Sequence, residues 1–251
     1  MDDGRWIRGF GPASHSTVRL VCFPHAGASA GYFDTLSREL LPLVDVVAIQ
    51  YPGRQDRRAE PRFQSLTEVA AEITEPLRDW AGIPFAFFGH SMGATIAFEV
   101  ARRLEADGVA PRALLVSGRR APSCHRDETV HLRDDDGLIA EVRRLSGPDA
   151  SGFDEAALRR VLPRIRGDYR AVETYRYQPG PALATPIHVH VGDLDPKCSL
   201  DEARTWREHT SGHFAMTVYP GGHFYLDRHT RQLNESIIET ITAEGASRGR
   251  Q

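Results

Sequence analysis

Residues 85–94, Phe85-Ala86-Phe87-Phe88-Gly89-His90-Ser91-Met92-Gly93-Ala94, decide how this chain folds. The apolar run 85–88 has the length and composition of a buried strand, and residues 94–104 continue as an amphipathic helix. Between them lies a G-x-S-x-G pentapeptide, Gly89 to Gly93. A serine on so sharp a strand-to-helix turn has its hydroxyl pushed out of the sheet. The two glycines are needed because side chains there would clash with the neighbouring strand and helix. In this setting Ser91 is a candidate nucleophile; an ordinary strand-to-helix turn is the alternative.

Composition narrows the classes of function. The chain has 251 residues, 31 basic and 34 acidic, for a net charge of −3. A nucleic-acid binder would be markedly basic, so that class is excluded. No apolar stretch approaches the roughly 20 residues needed to span a membrane. The N-terminal Met1-Asp2-Asp3-Gly4-Arg5 lacks the apolar core of a secretory signal. The three cysteines, Cys22, Cys124 and Cys198, are sparse and odd in number. That usage points to a reducing, cytoplasmic setting and against a disulfide framework. Lys197 is the only lysine, so a Ser–Lys dyad or a Schiff base has one candidate at most.

Working outward from residue 85, short apolar segments alternate with helical ones. Strands are expected at residues 17–23, 45–50, 85–88, 113–117, 186–191 and 214–219. Helices are expected at 31–41, 65–80 and from 224 onward, with residues 1–16 as a polar tail. Ser65 caps its helix, with Glu68 three residues on and Leu66, Val69, Ala70, Ile73 and Leu77 at helical spacing. This alternation predicts an α/β fold, a mostly parallel sheet with helices on both faces, formed by one domain over residues 1–251. Residues 119–180 break the pattern. They hold no strand and contain helical segments at 135–145 and 154–177, which reads as a helical lid inserted over the active face; an extra packed helical layer is the alternative.

A serine hydroxyl needs a base, and the base an orienting acid. In the α/β-hydrolase fold, which the elbow and the alternation define, the chain order is Ser, then Asp or Glu, then His, each at the end of a strand. Gly192-Asp193-Leu194-Asp195-Pro196 ends the fifth expected strand, and Pro220-Gly221-Gly222-His223-Phe224 follows the sixth. Of the eleven histidines, only His223 lies after the acid in a tight glycine turn. His209 and His213 read as surface residues at a helix end. Asp195 is favoured over Asp193 because the acid must reach sideways from the loop. His188 and His190 lie on one face of a strand but lack a third metal ligand, and Asp134-Asp135-Asp136 reads as a helix start rather than a cation site. No metal and no cofactor is expected. The oxyanion of an acyl intermediate needs two backbone N–H donors. Met92, after the nucleophile, is one, and Ala26 in the small-residue loop 24–29 is the other.

Five motifs in order, Phe23-Pro24-His25-Ala26-Gly27-Ala28-Ser29, Tyr51-Pro52-Gly53-Arg54, Gly89-His90-Ser91-Met92-Gly93-Ala94, Gly192-Asp193-Leu194-Asp195-Pro196 and Gly221-Gly222-His223-Phe224-Tyr225-Leu226, resemble the type II thioesterases, the stand-alone editing enzymes of polyketide and nonribosomal peptide synthesis. Ser117-Gly118-Arg119-Arg120-Ala121-Pro122 and Leu162-Pro163-Arg164-Ile165-Arg166-Gly167-Asp168-Tyr169 fit as well. His25 departs from the family, where an aromatic such as Tyr is expected; its ring is read as lining the pocket mouth or joining a polar cluster beside Ser91. The resemblance implies hydrolysis of acyl thioesters on the phosphopantetheine arm of an acyl or peptidyl carrier protein, by a monomer. Carrier proteins are commonly acidic, so Arg54, Arg57, Arg58, Arg119 and Arg120 near the entrance are candidate docking residues; plain solvated surface arginines are the alternative. Another serine hydrolase on this fold, such as an esterase or a medium-chain fatty acyl thioesterase, is the runner-up; an acyltransferase or a non-catalytic binding protein follows.

Overall fold

The computed structural model describes residues 4–11, 18–147 and 154–248. In chain order the elements are strand β1 (Ile7–Gly9), β2 (Arg19–Phe23), helix α1 (Asp34–Leu40), β3 (Asp45–Ile49), α2 (Leu66–Arg78), β4 (Phe85–His90), α3 (Met92–Ala106), β5 (Leu114–Ser117), α4 (Asp135–Ser146), α5 (Glu155–Thr174), β6 (Ile187–Gly192), α6 (Leu200–Arg204), β7 (Phe214–Tyr219) and α7 (Thr230–Arg248). The strands form one seven-stranded sheet in the order β1-β3-β2-β4-β5-β6-β7. All neighbours run parallel except β1, which pairs antiparallel with β3. This is the α/β-hydrolase architecture that the sequence pattern predicts.

Side chains alternate across the pleat and so build two cores. Phe85 and Phe87 of β4 pack with Leu66, Val69, Ile73 and Leu77 of α2 and with α3. Ala86 and Phe88 face the other way, against Leu40 of α1 and Leu233, Ile237 and Ile241 of α7. β4 is buried along its whole length. That explains why its sequence is a continuous apolar run rather than an alternating one. A side chain as large as Phe87 is worth about 3–5 kcal/mol against truncation to Ala. α2 starts where its sequence signature says: the Ser65 hydroxyl accepts the Glu68 amide. The Asp134 carboxylate likewise caps α4, accepting the Gly137 amide at 2.8 Å, so the Asp134-Asp135-Asp136 run is a helix start.

Some boundaries differ. The helix expected at 31–41 is a 3-10 turn, Ala30–Phe33, followed by α1, and the closing helix is a 3-10 turn, Tyr225–Asp227, before α7. The expected polar tail contains β1. Residue 17, the expected start of the first strand, residues 1–3 and 12–16 of the expected tail, and residues 148–153 of the expected insertion lie outside the described residues. Between β5 and β6, α4 and α5 bury a core of their own, with Leu138 and Ile139 against Leu158, Leu162 and Ile165. The three cysteines are free. Among the described residues no helix is long and apolar enough to cross a membrane.

Candidate active site

The site is built at the carboxyl ends of β4, β6 and β7, which are followed by Ser91, Asp195 and His223 respectively. Ser91 sits between β4 and α3 at φ 55° and ψ −117°, a backbone region that L-residues avoid. Close approach forces the two elbow glycines. A Cβ on Gly93 would lie 2.0 Å from the Phe23 carbonyl oxygen of β2, and one on Gly89 would lie 2.5 Å from the Gly93 oxygen. The Ser91 amide donates to the Ser117 carbonyl of β5 at 2.8 Å, which anchors the turn to the neighbouring strand. The strain at Ser91 is therefore held in place by backbone on two sides.

Ser91, His223 and Asp195 meet in space. The Ser91 Oγ lies 2.9 Å from His223 Nε2. On the other side of the imidazole, Nδ1 lies 3.0 Å and 2.9 Å from the two oxygens of Asp195. Both His223 and Asp195 are buried. Asp195 Oδ1 also accepts the Lys197 amide at 2.8 Å. Asp193 is exposed and does something else: its Oδ1 accepts the Gly221 amide at 2.8 Å and ties down the loop that carries His223. The loops approach closely here, since a Cβ on Gly192 would lie 2.4 Å from the oxygens of Gly221 and Gly222.

Behind His223 the polar groups are sealed. His90 donates or accepts through Nδ1 with the Ser117 hydroxyl at 2.9 Å, and that hydroxyl bonds Tyr225 at 2.6 Å. Burial, reinforced by the rings of His223 and His25, pushes His90 well below the ordinary imidazole value. Burial, then His223 and Arg54, pushes His25 down to about 3. Both rings are thus neutral at neutral pH, so neither adds a positive charge beside His223. His25 does not line the mouth. Its ring packs edge-on against Tyr32, Phe224 and His90, at 4.6, 5.0 and 5.7 Å between centroids.

Ala26 and Met92 line one small cavity with Ser91 and His223. Met92 opens α3, so its amide belongs to the first turn, whose N–H groups have no partner within the helix and carry the positive end of its dipole. The cavity has a volume of about 30 Å³, room for on the order of two water molecules. Its far wall comes from Leu145 of α4 and Tyr169, Val172 and Glu173 of α5.

Charged residues bind these helices to the sheet, and here the reading of the arginines needs correction. Arg54, Arg57, Arg119 and Arg120 are buried; of the five expected at the surface only Arg58 is exposed. Arg54 pairs with Asp168 of α5, both nearly inaccessible, and its guanidinium lies 4.8 Å over the Tyr51 ring. Arg57 bonds Glu60 at 2.7 Å and the Gln50 carbonyl at 2.7 Å. His209 is also buried rather than exposed, wedged against Phe98, Tyr177 and Trp206. Lys197 reaches Glu128 at 2.7 Å and Glu141 of α4 at 2.8 Å. Burial would raise Glu128, but hydrogen bonds from Lys197 and Arg120 outweigh it and hold the carboxyl at about 2. His190 Nδ1 bonds the Tyr219 hydroxyl at 3.0 Å. Among the described residues no three metal-ligating side chains converge.

A hydrolase fold with a serine and a buried imidazole in hydrogen-bond contact defines a broad class of acyl-transferring enzymes. Comparison with known proteins narrows it. The thioesterase domain model matches residues 18–244. The chain is 50% identical over 246 residues to thioesterase PikA5 of Streptomyces venezuelae, covering 96% of this chain and 87% of that protein. It is 48% identical over 244 residues to the probable cadicidin biosynthesis thioesterase of Streptomyces griseus, covering 97% and 68%. Among solved structures it superposes on the type II thioesterase BorB from the borrelidin biosynthetic cluster with a TM-score of 0.89 and 49% identity, covering 94% of this chain and 97% of that one. The chain belongs to the thioesterase family, enzymes that hydrolyse thioesters, and within it is similar to the type II thioesterases of polyketide and nonribosomal peptide biosynthesis.

Sequence reasoning missed Asp168, Glu128 and Glu141 as structural partners of the site. The 162–169 segment was legible as a motif, but nothing in it says that Asp168 reaches back more than a hundred residues to Arg54.

Proposed function

We propose that this protein hydrolyses acyl groups from the phosphopantetheine arm of acyl or peptidyl carrier proteins, clearing stalled or aberrant chains, with Ser91 as nucleophile, His223 as base and Asp195 as the acid that orients it. One observation carries the mechanism: His223 Nε2 lies 2.9 Å from Ser91 Oγ while Nδ1 is held by Asp195. As Ser91 Oγ bonds to the thioester carbonyl carbon, His223 takes the hydroxyl proton. The amides of Ala26 and Met92 stabilise the oxyanion. The carbon–sulfur bond then breaks, and the thiolate leaves with the proton from His223. Water repeats the sequence: His223 deprotonates it, it attacks the ester carbonyl, and Ser91 is released with the free acid. A thiolate is a good leaving group, so the acid role of His223 is lighter than in amide hydrolysis.

We read residues 119–180 as a helical lid within a single hydrolase domain. The support is the narrowness of the cavity, about 30 Å³ with α4 and α5 as its far wall. An acyl chain enters only if these helices shift, and a closed lid then excludes bulk water from the acyl-enzyme. The relatives' association with cadicidin biosynthesis and with the borrelidin biosynthetic cluster supports the carrier-bound substrate.

The reading is tested with a panel of acyl-carrier-protein thioesters of varied chain length beside simple oxygen esters of the same acids. Preference for the carrier thioesters is expected. Equal or better turnover of the oxygen esters sinks the editing assignment in favour of a general esterase.

A further inference from the structure

Next to the cavity at Ser91 lies a wider groove of about 440 Å³, and Arg119 and Val172 line both. Four side chains of the groove wall are arginines, Arg119, Arg120, Arg126 and Arg176, and none is acidic. Two of these charges are already neutralised, Arg120 by Glu128 and Arg126 by Glu202. The other two are not. Arg119, only 8% exposed, donates Nε to the Thr95 hydroxyl at 3.1 Å and has no carboxylate partner among the described residues. Arg176 bonds only to main chain, donating to the carbonyls of Glu173 at 2.8 Å and Tyr175 at 3.0 Å.

A second opening also meets the Ser91 cavity, through Glu128 and Lys197, but its charges cancel. There Lys197, Arg133 and Arg144 are taken up by Glu141, and Lys197 by Glu128 as well. A third groove, of about 770 Å³ between Arg58, Arg62 and Arg170, shares no lining residue with the Ser91 cavity. Of the three, only the first both shares lining residues with the Ser91 cavity and carries guanidinium groups with no carboxylate in contact. Burying a guanidinium without a counter-charge is costly. Burial, with Arg120 alongside, outweighs the attraction of Glu128 and lowers Arg119 to about 10, so it remains a cation at neutral pH.

We infer that this groove is the channel for the phosphopantetheine arm, with Arg176 at its exposed outer end binding the phosphate and Arg119 at its inner end donating to an amide carbonyl of the arm. This rests on the carrier-thioester reading above. The chemistry fits each position. Guanidinium presents a planar fork that matches phosphate oxygens. The arm's apolar dimethyl segment lies against Val172 and Tyr175, and its thioester passes between Arg119 and Val172, which line both cavities, to reach Ser91.

The test compares kcat/KM for one acyl group on 4′-phosphopantetheine and on pantetheine, which differ only in the phosphate. Wild type is expected to favour the phosphorylated arm roughly tenfold or more, the range of a hydrogen bond to a charged group. Arg176→Ala brings that ratio close to one, and Arg170→Ala, in the unconnected groove, leaves it at the wild-type value. Arg119→Gln lowers kcat/KM on both arms alike. On the acyl carrier protein and on acyl-coenzyme A, Arg176→Ala should cost the same factor as on free acyl-phosphopantetheine, which locates the contact on the arm rather than on the carrier surface. A wild-type ratio near one, an Arg176→Ala variant that keeps the preference, or an Arg170→Ala variant that loses it each overturns the assignment. If wild type hydrolyses none of these thioesters, it is the proposed function that has failed.

Discussion

Asp168 of α5 accepts the amide of Gly27 at 2.7 Å, so the helical segment between β5 and β6 holds the loop that carries Ala26. The same carboxylate pairs with Arg54, whose guanidinium is pinned against Tyr51. Gly27 itself has φ +83°, and Ile165 of α5 closes over it, 3.0 Å from where a Cβ would stand. Removing the charge at position 168 leaves a buried guanidinium uncompensated, which costs about 3–5 kcal/mol. Asp168→Asn is therefore expected to lower stability to urea by that order. Asp168→Ala, which removes the acceptor of the Gly27 amide altogether, should also cut kcat at least tenfold with little change in KM, because the loop that carries the proposed oxyanion donor Ala26 loses its support. Wild-type stability in the first variant and wild-type kcat in the second would contradict the coupling.

The two acids after β6 have different jobs and should separate cleanly. Asp195 faces His223 while Asp193 braces the Gly221 amide. Asp195→Asn should reduce kcat roughly 10³–10⁴-fold, as loss of the orienting carboxylate does in serine triads. Asp193→Asn keeps an oxygen acceptor for Gly221 and should stay within a few-fold of wild type. Steady-state kinetics on one thioester decide it, and the reverse ranking moves the acid by two residues.

What was legible in the sequence, and what was not, follows from the range of the forces involved. The elbow, the buried strands and the caps at Ser65 and Asp134 are local: glycine sterics, apolar runs and side-chain caps are written within a few residues. The β1 strand escaped because three residues with a central Arg8 carry no periodicity; its pairing with β3 is supplied from forty residues away. The arginines misled for a related reason. Guanidinium reads as surface, and what makes burial tolerable is remote: Asp168 for Arg54, Thr95 for Arg119, Glu128 for Arg120. His209 likewise looked exposed until Phe98, Tyr177 and Trp206 folded around it.

Strain at the nucleophile makes a stability prediction opposite in sign to most active-site changes. With φ 55° and ψ −117°, Ser91 occupies backbone space that glycine enters freely. Such a residue stores about 1–3 kcal/mol. Ser91→Gly should be more stable than Ser91→Ala by about 1 kcal/mol, both being inactive. Thermal melts of the pair check this, and a more stable alanine variant would show that the turn is not strained.

Stability should also fall on mild acidification. Burial, with His188 nearby, lowers His190 to about 3, and burial, with Arg102 nearby, lowers His209 to about 4. Both are neutral in the folded protein, while the unfolded chain takes up their protons below about pH 6.5. Their contribution is complete above that pH and is lost as pH falls toward 4 and then 3, each at about 1.4 kcal/mol per pH unit. Urea unfolding at pH 7.5, 6 and 5 should show a clear drop between the last two. Equal midpoints at all three would mean that these imidazoles titrate freely in the fold.

The central claim is that Ser91 carries the acyl group. Rapid quenching of the enzyme mixed with excess acyl-carrier-protein thioester, followed by peptide mass analysis, tests it directly. An acyl ester is expected on the peptide containing Ser91, formed and lost at rates compatible with turnover and absent in Ser91→Ala, which should also lose hydrolysis by several orders of magnitude. Hydrolysis by Ser91→Ala at the wild-type rate, or an acyl adduct on any other residue, would contradict it.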